Sequence, residues 1–119
     1  MATLANQGVA SQASFGQLGS GFIDGTASFI PVEGSVVVAI TCLADTVFDV
    51  LTAEDPTKYF NLSAVSTEAG AGAGQIDTSN IFPQGITIYG RWTHVGITAD
   101  AAGGVICYLG PSNSPKQTA

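Results

Sequence analysis

The chain has 119 residues, 45% of them hydrophobic, which is enough for one domain with a real core and too little for two. Only 10% of the residues are charged, and a surface of small neutral residues suits contact with other proteins. Nine acidic residues against three basic ones give a net charge of −6, which argues against a nucleic-acid partner. We also expect no membrane span, because the longest apolar run, residues 36–44, is too short to cross a bilayer.

Both ends of the chain have the composition of extended arms. The first two dozen residues mix Gly, Ser, Gln and Ala without helical or alternating periodicity, which predicts an N-terminal arm over residues 1–24. Two prolines and polar residues predict a C-terminal tail over residues 111–119, which leaves residues 25–110 for a β domain. The isolated apolar side chains of the N-terminal arm are candidates for contact with a partner: Phe15, Leu18 and Phe22.

Short β-branched runs separated by turn residues follow the N-terminal arm. They predict an all-β fold, a single sandwich or compact barrel of about six to eight short strands. The first runs cover residues 26–30, 35–43 and 46–53, and we expect them to pair in order as a meander. Both faces of the second run are apolar, which predicts a central strand covered on both sides. In the third run, strict alternation predicts that Asp49 and Leu51 share one face.

The second half of the domain begins with weaker signals and ends with strong ones. Residues 59–65 are a possible fourth strand, and the Ala-Gly repeat at residues 69–74 predicts a flexible surface loop. No Lys follows this loop and Asp77 would repel an anion, so it does not fit a phosphate-binding loop. Alternation predicts strands at residues 86–95 and 105–109, joined through a Gly-rich turn.

Few side chains in the sequence indicate catalysis or metal binding. The only histidine, His94, lies in a predicted strand between Thr93 and Val95, which is more typical of a surface or interface residue than of a general base. No Gly-x-Ser-x-Gly elbow is present, so we expect no enzyme activity and no cofactor. We also expect no metal site, because Cys42, Cys107 and His94 lack the closely spaced ligand pairs of structural zinc sites.

Both cysteines lie in strand-like apolar runs. Residues 1–20 have neither the basic start nor the apolar core of an export signal, so we expect a reducing compartment. This favours two buried free thiols at Cys42 and Cys107, with a disulfide as the alternative.

The pair Arg91-Trp92 stands out in the predicted strand at residues 86–95. Trp92 is interpreted as a core anchor, with an interface hot spot as the alternative. An arginine within a strand is expected to find a carboxylate, either within the subunit or across a contact. Arg91 and His94 are therefore added to the candidate interface residues. Gly90, the residue before Arg91, predicts a β-bulge or a close neighbour at this point of the strand.

The string GITIYGRWT at residues 85–93, followed by a Gly-rich turn and VICYL at residues 105–109, carries a resemblance. It resembles the C-terminal signature of small structural proteins of tailed bacteriophages, and most closely that of head decoration, or cement, proteins. The likeness covers residues 82–110, about a quarter of the chain. It does not extend to the rest of the chain and identifies no binding residues.

The resemblance implies a virion protein without catalytic activity, made in the host cytoplasm, that binds the major capsid protein on the capsid surface and stabilises the head. A dimer or trimer at local symmetry axes is expected. Another virion role, in the tail or the head-to-tail connector, is the first alternative. The second alternative is a host-glycan-binding β module that uses exposed aromatic side chains, for which the candidates are Tyr59, Tyr89, Tyr108 and Trp92.

Overall fold

A computed structural model describes residues 18–25, 28–98 and 103–112. The described chain is all-β, as the sequence predicts. Its strands are β1 Ser20–Ile23, β2 Ser28–Phe29, β3 Ser35–Cys42, β4 Phe48–Ala53, β5 Thr87–Ile97 and β6 Val105–Pro111. A short 3-10 turn covers Thr67–Ala69.

The strands form one antiparallel sheet that nearly closes on itself. Its order is β1-β6-β3-β5-β2, and β4 also pairs with β5. The first and last strands of this order approach each other at Gly21 of β1, where an added Cβ would lie 2.5 Å from the ring of Phe29 in β2. The absence of a side chain at Gly21 therefore lets β1 and β2 approach each other closely in this barrel-like arrangement.

The pairing of neighbouring strands differs from the predicted meander. β3 pairs with β5 and β6 and not with β4, while β5 and β6 do not form the expected hairpin. Between β3 and β4, Thr46 exchanges two backbone hydrogen bonds of 2.8 Å with Phe82. The chain then continues along the other edge of β5 as β4. β3 is nevertheless the central, almost wholly buried strand that its two apolar faces predict.

The strands β2 and β3 lie along the same edge of β5. Trp92 of β5 pairs with Val37 of β3 and with Ala53 of β4, so β3 and β4 occupy opposite edges. Farther along β5, Val95 pairs with both β2 and β4, which places β2 on the edge that β3 uses. Residues 30–34 thus leave the edge of the sheet between β2 and β3 and return to it; we call them the excursion.

The core side of β4 also differs from the prediction. Phe48, Leu51 and Ala53 are buried, whereas Asp49 is exposed. The register shifts between Phe48 and Val50 and again between Thr52 and Ala53, and such bulges break the alternation of side chains. The prediction that Asp49 and Leu51 share a face is therefore wrong.

Trp92 anchors the core, which confirms the interpretation of this residue. It is fully buried, its indole N–H donates to the Phe60 carbonyl at 3.2 Å, and its ring centroid lies 5.3 Å from that of Phe60. A Cβ at Gly90 would lie 2.6 Å from the indole. The close neighbour predicted for Gly90 is thus Trp92 itself.

The possible fourth strand at residues 59–65 is not formed. The segment makes only isolated bridges in the described chain, from Asn61 to Ala64 and from Leu62 to Ile76. Tyr59, Phe60 and Leu62 pack against the core instead, and the Leu62 amide donates to the carbonyl of Leu51 in β4. The repeat at residues 69–74 lies in the surface loop that follows.

The boundaries of the β domain also differ from the predicted ones. Ser20–Ile23 pairs with β6 and so belongs to the sheet, although it falls within the predicted arm. Strand β6 includes Pro111, which the prediction assigned to the tail. Both segments have a paired neighbour, which the local sequence does not reveal. The remainder of the predicted arms, residues 1–17 and 113–119, lies outside the described residues.

Candidate functional site

Both terminal segments join the barrel at the same end. The Leu18 amide donates to the Leu109 carbonyl, and the Ser112 amide donates to the Gly34 carbonyl in the excursion. Ser35, which follows the excursion, pairs with Pro111. The end of β6 is therefore next to the excursion, and Leu18 lies beside the same end of β6.

Apolar side chains are exposed at this end. Ile30 and Val32 of the excursion are each 68% exposed, and Leu18 is 50% exposed. We call these three residues the terminal patch. Ile30 and Val32 line a cavity of about 330 Å³, which the excursion forms together with Ser35 and Thr93. An exposed group of large aliphatic side chains is typical of a surface that contacts another protein.

The excursion is held at its base. Ser35 donates two hydrogen bonds to the Val32 carbonyl, one from its amide at 3.0 Å and one from its hydroxyl at 2.6 Å. Pro31 lies between the two exposed aliphatic residues and is itself buried. These bonds fix the base of the loop that carries Ile30 and Val32. The loop therefore loses little conformational entropy when the two side chains contact a partner.

Arg91 finds its carboxylate within the chain. Its Nε donates to Glu54 Oε1 at 2.7 Å, and the two side chains are only 14% and 10% exposed. Its guanidinium also donates to the Pro111 carbonyl, and the Ser112 hydroxyl donates to Glu54 Oε2 at 2.9 Å. Arg91 thus ties the end of β6 to β4 and β5. Of the two partners that the sequence leaves open for Arg91, the one within the subunit is present.

The other predicted interface residues lie apart from one another. Leu18 belongs to the terminal patch, whereas Phe22 is exposed on the outer face of β1. His94 is half-buried in β5, paired with Thr52 of β4, and its Nε2 atom is buried with no hydrogen-bond partner among the described residues. Phe15 lies outside the described residues.

Sequence reasoning missed Ile30 and Val32. The signal that could have identified them is an apolar residue on each side of a proline, followed directly by the turn residues Glu33 and Gly34. A proline at this point interrupts strand pairing, and apolar residues beside it then lie off the sheet. The prediction instead assigned Ile30 to a continuous strand.

A second feature is a cleft on the outer face of the sheet. Tyr89 of β5 and Tyr108 of β6 both pair with Ala39 of β3, so they stand on either side of this small residue. Thr41 and Thr87 complete the lining, and their hydroxyls are 2.9 Å apart. We call this the tyrosine cleft; its volume is about 270 Å³.

Both cysteines are buried free thiols, as the sequence favours. Cys107 pairs with Ile40 and Cys42 pairs with Val105, so the two cysteines are diagonal neighbours on the inner face. Diagonal positions are about 7–8 Å apart, beyond the usual Cα separation of a disulfide. Burial raises the pKa of Cys107 to about 12, with a smaller contribution from Cys42. Burial also raises the pKa of Cys42, against the lowering effect of a hydrogen bond with Thr46.

The described residues contain neither a metal-binding cluster nor a helix suited to span a membrane. No group of three or more His, Cys, Asp or Glu side chains is placed to hold a metal ion in residues 18–25, 28–98 and 103–112. In the same part of the chain, no helix is long and apolar enough to cross a membrane.

The fold defines the chain as an all-β protein with a nearly closed, barrel-like antiparallel sheet. No protein-family model matches it, and neither a curated protein nor a solved structure matches it.

Proposed function

We propose that this chain is a bacteriophage head decoration protein that binds the major capsid protein on the virion surface and stabilises the shell. The observation that carries the proposal is the terminal patch: Leu18, Ile30 and Val32 are exposed at the end of the barrel where both terminal segments join it. The resemblance of residues 82–110 to phage structural proteins supports the same role.

The terminal patch suits attachment to a large protein surface. A stable interface buries about 800 Å² on each partner, which is more than three aliphatic side chains supply. In this proposal the remaining contact area is assigned to residues 1–17 and 113–119, which precede and follow the described domain in the sequence. Extended segments gain contact area by lying across a neighbour or by adding a strand to its sheet, and the gain offsets the entropy lost on ordering them.

The distribution of charge agrees with this mode of attachment. The excursion carries one charged side chain, Glu33, and the nearby Arg91 is already bound to Glu54. Charged residues are depleted in the centre of protein interfaces, because their desolvation costs free energy. The proposed contact is therefore apolar at its centre, and salt is expected to have little effect on its dissociation rate.

Co-sedimentation with purified heads that lack the protein tests the proposal. The native chain is expected to bind the heads and to raise their melting temperature. The double substitution Ile30→Asp and Val32→Asp puts charge into the proposed interface and is expected to weaken binding at least about 100-fold. Val65→Asp is the matched control, because Val65 is also exposed but lies in the loop region that follows β4.

The results that contradict the proposal are equally definite. Heads that neither bind the native chain nor melt at a higher temperature would exclude a decoration role. Equal binding by the double variant and by Val65→Asp would exclude the terminal patch as the contact. Hundreds of copies per virion agree with decoration, whereas a dozen or fewer would assign the chain to a connector or tail.

A further inference from the structure

The tyrosine cleft is separate from the terminal patch and has a different chemistry. Tyr89 is 62% exposed, although it projects from an internal strand of the sheet. Of the four aromatic residues considered for a stacking surface, Trp92 is fully buried and Tyr59 packs against the core. Tyr89 and Tyr108 remain, and they line the same cleft.

The spacing of the two tyrosines is set by the sheet. Their strands β5 and β6 lie on either side of β3, and neighbouring strands are about 4.8 Å apart, so the two backbones are about 9.6 Å apart. A saturated ring in contact with an aromatic ring on each side, at about 3.5–4 Å, needs a separation of about 7–8 Å. Such a sandwich requires Tyr89 and Tyr108 to lean towards each other over Ala39, which has only a methyl side chain between them.

Polar groups at the floor complete the cleft. The Thr41 and Thr87 hydroxyls bond to each other at 2.9 Å, which uses one donor and one acceptor position of the pair. Each hydroxyl oxygen has two acceptor positions and one proton, so the pair can form further hydrogen bonds with a ligand. The cleft thus presents aromatic faces at its sides and hydroxyl groups below.

The charges around the cleft favour a neutral ligand. Among the described residues that line it, none is Asp, Glu, Lys, Arg or His. Arg91 is the next outward-facing residue of β5 after Tyr89, and it is bound to Glu54 and to the Pro111 carbonyl. An acidic or basic ligand would therefore lose its hydration without gaining an opposite charge.

We propose that the tyrosine cleft binds a single neutral sugar ring, with Tyr89 and Tyr108 against its apolar faces and the Thr41 and Thr87 hydroxyls on its hydroxyl groups. A volume of about 270 Å³ lies just below the range of about 300–1,000 Å³ typical of ligand pockets, which suits one pyranose ring. This inference goes beyond the capsid role and does not depend on it, because the terminal patch and the cleft have no residue in common.

Nuclear magnetic resonance titration of the full chain with neutral methyl glycosides of glucose, galactose, mannose and N-acetylglucosamine tests the inference. At least one of them is expected to shift the amide signals of Ala39, Thr41 and Thr87 saturably, with a Kd of about 1 mM. Tyr89→Ala is expected to raise that Kd at least about tenfold, and Tyr89→Phe is expected to retain most of the affinity, since the aromatic face remains.

Phe22→Ala is the matched control, because Phe22 is an exposed aromatic residue on the outer face of β1 that does not line the cleft. Its Kd for the glycoside is expected to equal that of the native chain. The absence of saturable shifts would overturn the inference, and so would unchanged binding by Tyr89→Ala in a chain whose spectrum shows that it is folded. Tighter binding of a glucuronide or of a proline-rich peptide in the cleft would also overturn it. Each of these results leaves the test with phage heads unaffected.

Discussion

At the scale of single residues, the hydrogen bonds of Arg91 connect three strands at the end of the barrel. The guanidinium of Arg91 joins β5 to Glu54, which follows β4, and to the carbonyl of Pro111 in β6. These groups are largely shielded from water, so their hydrogen bonds are worth more than those of an exposed ion pair. Arg91 therefore ties the end of β6 to β5 and to Glu54 within the subunit.

Replacement of Arg91 by methionine is expected to lower the free energy of unfolding by about 2 kcal/mol, because it removes the charge-assisted hydrogen bonds that Arg91 donates to Glu54 and to the Pro111 carbonyl. Urea denaturation measures the change. Adding Glu54→Gln to Arg91→Met should cost less than the sum of the two single changes. Lys58→Met is the control, since Lys58 is exposed, and its effect should stay within about 0.5 kcal/mol. Equal effects of Arg91→Met and Lys58→Met would contradict this role.

The buried thiols predict a loss of stability at high pH. The pKa of Cys107 is raised from 9.0 to about 12 in the folded chain, because burial disfavours the thiolate. The unfolded chain therefore loses this proton near pH 9 while the folded chain retains it. The contribution of the Cys107 thiol to the free energy of unfolding is therefore fully present below pH 9 and declines as the pH rises towards 12.

Urea unfolding of the native chain and of Cys107→Ala at about pH 8 and about pH 10.5 measures this contribution. The native chain is expected to lose more stability than the variant between the two pH values, because the variant lacks the thiol. Titrating groups that do not interact with Cys107 affect both chains equally. An identical loss in the two chains would show that the Cys107 thiol ionises as readily in the folded state as in the unfolded one.

At the scale of the strands, local sequence predicted positions better than partners. Alternation and β-branched residues located β3, β4, β5 and β6 within a few residues, because these signals depend only on neighbours in the chain. Pairing depends on contacts between distant segments, such as the one between Thr46 and Phe82, and no local pattern records them. Similarly, β1 is too short and too rich in Gly and Ser to be recognised without its partner β6.

The candidate site was predicted in part for the same reason. Leu18 and Phe22 could be identified because apolar residues in a polar segment are visible in the sequence alone. The tyrosine cleft could not, since it exists only because Ala39 is opposite both Tyr89 and Tyr108. Both pairings depend on the register of three strands, and β3 is far from β5 and β6 in the sequence.

The pairing of β1 predicts that it opens more readily than the centre of the sheet. β1 has four residues and hydrogen-bonds to β6, whereas β3 has eight residues and is paired on both sides. Hydrogen exchange followed by mass spectrometry should therefore show the amides of β1 exchanging at least about tenfold faster than those of β3. Equal protection of the two strands would indicate that β1 is held by more contacts than its pairing with β6.

At the scale of the whole molecule, two surfaces have separate proposed tasks. The terminal patch lies at the end of the barrel where Leu18 and Ser112 are bonded to it, and the tyrosine cleft lies on the outer face of β3, β5 and β6. In the proposed arrangement the end of the barrel faces the capsid, so the side of the sheet can remain open to solvent. The small number of charged residues fits the first task, and the uncharged lining of the cleft fits the second.

The most direct test of this account compares hydrogen exchange in the free chain with that in the chain bound to phage heads. The account predicts that binding slows exchange at the terminal patch, in the excursion and in residues 109–112. Exchange in the loop at residues 69–80 and at the tyrosine cleft should stay the same. Protection confined to the loop or the cleft, or no binding to heads at all, would contradict it.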